Sequence, residues 1–340
     1  MSKVTPSRLR TGVFGCLFAF VPGFALADGL SSYGTPGLID LPSATTAGDG
    51  SLNFTTSLLK GHTRNSLHFQ ITPRLSGVFR YSILREYLSS GDDLKDRSFD
   101  VHYLLSKETA SFPALAIGLR DFGGTGIFAS EYFVATKHFL DNRLTVTAGL
   151  GWGRLASHGG FENPLTVIDE AFGIRPDSFS GIEDTGRVAL NTFFRGDAAL
   201  FGGIEYQVND RLRLVAEYSS DAYVDEVTRM EFDYNTPFNF GVNYKATKNL
   251  TLNGFVIGGA QLGFGVTYVI DPTSPRYPGG IERNTPPLRP QSDFASLGWS
   301  LDDIDGARSR LAAGLTGQGL RLESYALEGT TARIVLSNPS

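Results

Sequence analysis

A chain of 340 residues carries 30 Lys and Arg against 35 Asp and Glu, a formal net charge of −5, with 41% hydrophobic residues and a single cysteine. The absence of a basic stripe interleaved with aromatics speaks against nucleic acid as a partner, and no stretch after the N-terminal segment approaches the 18 or so apolar residues of a membrane-spanning helix. Cys16 lies in that N-terminal segment, so the remainder has neither a disulfide nor thiol chemistry.

Lys3, Arg8 and Arg10 precede an apolar run from Gly12 to Ala27 that ends in Ala25-Leu26-Ala27. A charged head, a short greasy core and small residues at the cleavage positions predict a secretory signal peptide over 1–27, cut before Asp28. A retained anchor is the poorer reading, because the run is short and contains Pro22. A lipid anchor at Cys16 is poorer still, since only about five apolar residues precede it. Loss of the three signal cations shifts the formal charge from −5 to −8. Residues 28–49 are expected to form a periplasmic segment ahead of the first strand.

Between 50 and 270 the chain alternates with period two. Leu52, Phe54, Thr56 and Leu58 oppose Asn53, Thr55 and Ser57; Phe99, Val101, Tyr103 and Leu105 oppose Ser98, Asp100 and His102. Leu144, Val146, Ala148, Leu150 and Trp152 oppose Thr145, Thr147, Gly149 and Gly151, and Leu262, Phe264, Val266, Tyr268 and Ile270 oppose Gln261, Gly263, Gly265 and Thr267. About twelve such strands, each near the ~9–11 residues that cross a bilayer at a tilt, predict an all-β fold: a transmembrane antiparallel β-barrel. A soluble sandwich would turn Lys and Glu to bulk water on its polar face. Here that face holds Gly, Ser, Thr and Asn with charges of both signs, Arg80, Asp100, Glu205, Arg213 and Glu217, which suits a narrow wet lumen.

One cassette recurs four times: FQITPRLSG (69–77), HFLDNRLTV (138–146), YQVNDRLRL (206–214) and YKATKNLTL (244–252). In each a ring residue (Phe69, His138, Tyr206, Tyr244) precedes a tight polar turn and a renewed strand, the pattern of hairpins with interface aromatics at one barrel end. The connections at 85–97, 154–196 and 220–237 are long by contrast. Short turns on the periplasmic side and long loops outside is the usual asymmetry. Residues 154–196 exceed a bare loop and are expected to plug the lumen or stand outside as a binding loop.

After Ile270, DPTSPRYPGG and NTPPLRPQ form a Pro-rich linker over 271–295. Leu301–Ala313 reads as an amphipathic helix, and Leu320–Ala326 and Ala332–Leu336 as strands around a Glu328-Gly329 turn. Residues 296–340 are thus predicted to be an incomplete α/β periplasmic module with too little core to stand alone.

Few residues suggest catalysis. Ser98, Asp100 and His102 share one strand face, but alternation alone places them there, and lumen hydrogen bonding is the simpler reading. His138, in a cassette position, reads as an interface ring rather than a general base. Asp92-Asp93 and Asp225-Glu226 read as solvated loop charges rather than cation ligands. No metalloprotease, nucleophile-elbow or phosphate-cradling motif is present. Neither a metal nor a cofactor is expected. The final strand carries Gln261-x-Gly263-x-x-Val266-x-Tyr268, the shape of a barrel-closing strand read by the assembly machinery.

SSYGTPGLIDLPSA (31–44) resembles the opening of the YjbH-type outer-membrane proteins of exopolysaccharide biosynthesis. GLGWGRLASHGGFENP (149–164) and FFRGDAALFGGIEYQV (193–208) are similar to that family too. The first motif is the most specific. The resemblance implies an outer-membrane barrel encoded with machinery for an extracellular polysaccharide or capsule, no catalytic residues, and a typical length about twice this one. The expected function is therefore non-enzymatic assistance to exopolysaccharide secretion or surface assembly in the Gram-negative outer membrane. Its partners would be outer-membrane lipid, polysaccharide, and periplasmic or outer-membrane components of an exporter. Candidate lumen or glycan-contacting residues are Arg80, Asp100, His102, Glu205, Arg213, Glu217, Asn243 and Trp152, with Tyr206 a further ring for stacking on sugars. The alternatives are a general diffusion porin and an outer-membrane hydrolase or lipid-modifying enzyme.

Overall fold

The computed structural model describes residues 29–176, 190–272, 303–328 and 331–338, in two units divided after Ile270. The expected signal peptide and most of the Pro-rich linker lie outside the described residues.

The first unit is a closed antiparallel barrel of twelve strands in sequence order. They are β1 (Leu52–Leu59), β2 (His62–Gln70), β3 (Leu75–Leu84), β4 (Leu94–Ser106), β5 (Ala114–Arg120), β6 (Ser130–Phe139), β7 (Leu144–Gly153), β8 (Ala198–Gln207), β9 (Leu212–Tyr218), β10 (Phe238–Lys245), β11 (Leu250–Ile257) and β12 (Gln261–Ile270). Closure is by β1 on β12, in continuous register from Leu52↔Ile270 to Leu59↔Gly263. Every inner strand edge is thereby paired, which is the condition for β-structure in lipid.

Alternation sets the two faces. Phe54, Leu58, Phe79, Phe99, Phe133, Phe240, Phe264 and Tyr268 are exposed on the outer wall, whereas Asn53, Thr55, Arg64, His68, Arg80, Asp100, Glu205 and Asn239 are buried inside. An apolar exterior around a polar interior is the inverse of a water-soluble protein and fits a bilayer. In β4, the longest strand, Phe99, Tyr103 and Leu105 face out and Asp96, Ser98, Asp100 and His102 face in, with Leu94 and Leu104 as apolar inward residues towards its two ends.

The four cassettes do not behave alike. In three turns the pairing next to the turn joins residues six apart: Gln70↔Ser76, Gln207↔Arg213 and Lys245↔Thr251. At the fourth, Phe139 pairs with Leu144, five apart, through Leu140, Asp141 and Asn142, all with positive φ. One residue fewer reverses the faces. Phe139 therefore becomes the outer ring there, and His138, expected at the interface, turns inward and binds Glu108 (Nδ1 to Oε2, 2.5 Å).

Of residues 28–49, expected as a periplasmic segment ahead of the first strand, Leu30–Ala44 are buried inside the barrel. The segment folds back on itself, with bridges Leu30↔Pro36 and Gly37↔Pro42 and further bonds from the N–H of Ser32 to the Ile39 carbonyl and of Ser43 to the Pro36 carbonyl. Because its backbone is satisfied largely internally, it needs no place in a strand ladder. Gly29 lies beside Asn243 near the short-turn end, and Ala47 donates to Gln70 Oε1 (3.1 Å) at that same end. The segment is thus a hairpin plug that enters and leaves through one mouth. Leu38, Ile39 and Leu41 pack with Leu104, Ala116, Tyr132, Val134, Phe201, Val215 and Phe255. Burying each such aliphatic side chain contributes about 1.5–3 kcal/mol.

The described parts of the 154–196 segment do not form the plug. Phe194 sits edge-on to Trp152 (5.2 Å between ring centroids) and tilted against Phe133 (5.5 Å), on the outer wall. Arg175 makes a two-pronged pair with Glu131 (2.8 and 2.9 Å), which shares the Trp152 face. The described parts of this loop therefore cover the rim and upper exterior.

The second unit contains α2 (Ile304–Thr316) and a hairpin of β13 (Arg321–Glu328) with β14 (Thr331–Ser337); α1 (Val224–Arg229) belongs to the barrel's 219–237 loop. The helix begins three residues later than the hydrophobic spacing predicts. Asp303 caps it by accepting from the Gly306 N–H (3.0 Å).

Candidate functional site in the barrel lumen

The site is where the plug meets the wall. Inward positions of β2, β3 and β5 place Arg64, Arg80 and Arg120 around the ring of Tyr33, with guanidinium carbons 4.2, 4.8 and 4.4 Å from its centroid. Phe128 closes on the same ring edge-on at 5.8 Å. Cation–π contacts of desolvated arginines contribute about 2 kcal/mol each at best. Their value here is also geometric: one aromatic ring keeps three like charges apart.

The arginines differ in what neutralises them. Arg80 donates twice to Asp100 (2.7 and 3.0 Å) and once to the Tyr33 carbonyl (3.1 Å). Its charge is met by the wall itself. Arg64 donates to Ser32 Oγ (2.8 Å) and Tyr33 Oη (3.4 Å) and lies 3.7 Å from Asp40 Oδ1. Arg120 donates to the Asp40 carbonyl (2.7 Å) and Thr35 Oγ1 (3.5 Å). Both are met by the plug.

The opposite wall grips the plug through an acid. Glu217 accepts from the backbone N–H groups of Ile39 (2.9 Å) and Asp40 (3.1 Å) and from Asn239 Nδ2 (2.8 Å). Asp40 itself accepts from Ser32 Oγ and from Tyr223 Oη (2.7 Å). Thr136 Oγ1 accepts from the Ala44 N–H at 2.8 Å. Glycines leave the room: a Cβ on Gly241 would stand 3.1 Å from Ile39, and one on Gly34, whose φ is +79°, would overlap Ser66.

At the long-loop mouth Arg154 donates to Asp221 (2.5 Å) and Glu226 (2.6 Å), tying the 154–196 and 219–237 loops together. Burial raises the Asp221 carboxyl to about 6 against the pull of Arg154. For Glu226 burial also acts upward, but Arg154 and His62 outweigh it and the net direction is down. Asp121, just past β5, is pushed up to about 8 by burial first and the nearby Asp96 charge second, while accepting from the Phe128 N–H at 2.9 Å. Asp121 is therefore neutral at pH 7. Its folded value lies above the unfolded one, so its contribution is fully present below about pH 4 and is lost progressively as pH rises from there through about 8. Asp121→Asn, which does not titrate, is expected to flatten the decline in stability between about pH 4 and 8 and to be the more stable form at the upper end of that window. Urea melts of parent and variant at about pH 4 and 8 check this; an identical decline in both would contradict it.

The predicted site residues divide clearly. Arg80 and Asp100 meet each other on one wall, and Glu217 holds the plug from the opposite one. His102 faces inward with Nδ1 3.0 Å from Tyr132 Oη, while Asp100 is committed to Arg80 and to the Asp121 N–H (2.9 Å). Glu205 and Arg213 pair at 3.4 Å, and Asn243 accepts from Asn253 Nδ2 at 2.8 Å. Arg213, Asn243 and Gly29 line an open vestibule of about 630 Å³ at the short-turn end. Trp152 is a correction. Its strand position faces outward, so it packs under Phe194 and never reaches the lumen. Tyr206 is likewise on the exterior. Sequence reasoning missed Tyr33, Asp40, Arg64, Arg120 and Tyr223. Arg64 was visible as an inward position alternating with Ser66 and His68. The plug residues follow no strand pattern, and only their family-specific motif marked them. Among the described residues no group of three or more His, Cys, Asp or Glu could hold a metal ion.

The family model described as "Exopolysaccharide biosynthesis protein YbjH" matches residues 29–340. A curated relative from Escherichia coli (strain K12), "Uncharacterized lipoprotein YjbH", is 33% identical over 269 residues, which is 77% of this chain and 38% of that protein. The chain thus spans well under half the length of that relative. Among solved structures, the KdgM porin aligns over 65% of this chain and 98% of its own at 12% identity (TM-score 0.35). The NanC porin aligns over 64% and 98% at 9% identity (TM-score 0.32). A match extending from the plug motif through the tail makes this chain a member of the YjbH exopolysaccharide biosynthesis family.

Proposed function

We propose that this chain is a non-enzymatic outer-membrane barrel that assists secretion or surface assembly of an exopolysaccharide. The observation that carries it is a polar lumen, closed by the chain's own hairpin, in a member of an exopolysaccharide biosynthesis family. A conduit for a polymer must be shut when idle, and the hairpin at 29–44 does this without a strand ladder to break. The relevant inner residues are Arg80, Asp100, His102, Glu205, Arg213, Glu217 and Asn243, which offer hydrogen bonds to sugar hydroxyls once the plug is displaced. The short-turn end faces the periplasm in this reading, and the second unit at 303–338 serves to meet exporter components.

Deleting the gene is expected to lower surface polysaccharide while its cytoplasmic synthesis continues. Unchanged surface polysaccharide would remove the proposal. A general diffusion porin requires a permanently open lumen, and the buried Leu30–Ala44 hairpin argues against that. An enzyme reading would need turnover that depends on His102 and on Asp100 separately.

A further inference from the structure

We propose that the plug is an internal stand-in for an acidic sugar, and that Arg64 and Arg120 form a carboxylate-binding wall that it masks. This deepens the secretion reading above and rests on it: the exported glycan would carry uronate-type carboxylates.

The argument starts from the partners of the two arginines. Among the described residues, every hydrogen-bond or ion-pair partner of Arg64 (Ser32, Tyr33, Asp40) and of Arg120 (Thr35, Asp40) belongs to the plug. Arg80 differs, because Asp100 of the neighbouring strand holds it. Withdrawing the plug therefore strips both buried guanidinium groups of every direct partner, leaving Arg64 only the more distant charge of Glu226. An uncompensated buried charge is costly, so the empty lumen selects an anion.

The groups the plug presents describe that anion. Asp40 supplies a carboxylate and a carbonyl, Ser32, Thr35 and Tyr33 supply hydroxyls, and the Tyr33 ring supplies a flat face over which the arginines lie. A carboxylate flanked by hydroxyls on a flat ring is the inventory of an acidic pyranose. Even with the plug seated, Nε of Arg64 and Nε of Arg120 are buried without an acceptor. A planar carboxylate could engage such a fork in two-pronged fashion, which the plug does not. Tyr132 and His102 stand beside this wall to meet further hydroxyls.

The test uses the full chain in planar lipid bilayers, with Tyr33→Ala/Asp40→Ala to loosen the plug and trigalacturonate and maltotriose as probes. Retention of the heat-modifiable folded form on SDS gels confirms each variant's barrel. The loosened variant should conduct with preference for chloride over potassium, and trigalacturonate should block it while maltotriose does not. Adding Arg64→Gln/Arg120→Gln should weaken that block by at least about tenfold and leave conductance in place, because two charge-assisted contacts are lost. Block that is indifferent to the two arginines, or equal block by maltotriose, overturns the proposal. If the loosened variant stays silent, equilibrium binding of trigalacturonate to it in detergent decides: arginine-dependent binding supports the proposal, and no binding overturns it. Loss of surface polysaccharide on gene deletion, together with arginine-independent passage of neutral sugar, would leave the secretion reading standing while removing the acidic specificity.

Discussion

Replacing Arg80 by Ala is expected to destabilise the barrel by about 3–5 kcal/mol, because it strands the buried Asp100 carboxylate. Both side chains are essentially inaccessible, and the pair links β3, β4 and, through the Asp121 N–H, the end of β5. The same change removes one donor to the Tyr33 carbonyl, so the plug should loosen with the wall. Urea unfolding in lipid vesicles, followed by tryptophan fluorescence, reads the effect. Asp100→Asn should cost less than Arg80→Ala, since an amide still accepts from the guanidinium. The paired change Arg80→Met/Asp100→Leu should recover much of the loss, because the desolvation of two charges disappears with them. A midpoint unchanged by Arg80→Ala would mean that the lumen is wet enough to screen the pair.

The second large effect concerns the seat of the plug. Gly241→Leu is expected to evict the hairpin: the first added carbon already stands 3.1 Å from Ile39, and a branched side chain has nowhere else to go. Over-packing of this kind costs about 1–3 kcal/mol where the neighbour is fixed. Here the neighbour is a separate hairpin without ladder bonds to the wall, so it should leave rather than strain the barrel. Residues 29–44 contain no Lys or Arg but do contain Leu30, Tyr33 and Leu38, none followed by proline, so chymotrypsin is the suitable probe. Cleavage after these residues should be slow in the parent protein and fast in Gly241→Leu, with the barrel itself still intact. Ile39→Ala in the same chain should restore protection by vacating the space. Equal cleavage of parent and variant would show that Gly241 does not face the hairpin.

The barrel was legible in the sequence because lipid and lumen impose opposite demands on alternate residues, and strands such as β1, β4 and β12 obey them along most of their length, the inward Leu59, Leu94 and Leu104 being exceptions. The His138 cassette shows where that reading stops. Composition at the four turns is nearly the same, yet one residue fewer in the β6–β7 pairing swaps inside for outside. Trp152 was misplaced for a different reason. Its alternation was read correctly, but a ring near a rim was given a sugar-binding role when Phe194 covers it.

The plug was not legible because nothing periodic marks it. Apart from Tyr33, Leu38, Ile39 and Leu41, Ser31–Ala44 are small, polar or turn-forming residues that would ordinarily be solvent-exposed. They become interior only because the barrel supplies Glu217, Thr136, Ser66 and the arginines to satisfy them. A pairing of distant residues such as Asp40 with Tyr223 has no local trace. The inward arginines were each visible by alternation, and what joins them, the Tyr33 ring, was not.

Amide hydrogen exchange of residues 30–44 in the lipid-reconstituted chain tests the central claim most directly, since it reports whether the hairpin sits inside the barrel in a membrane. The bonds from Ser32 to Ile39, Ser43 to Pro36 and Ala44 to Thr136 should hold those amides protected for as long as the barrel strands are. Complete exchange of this segment within seconds, while β1 to β12 stay protected, would contradict it and return the lumen to solvent.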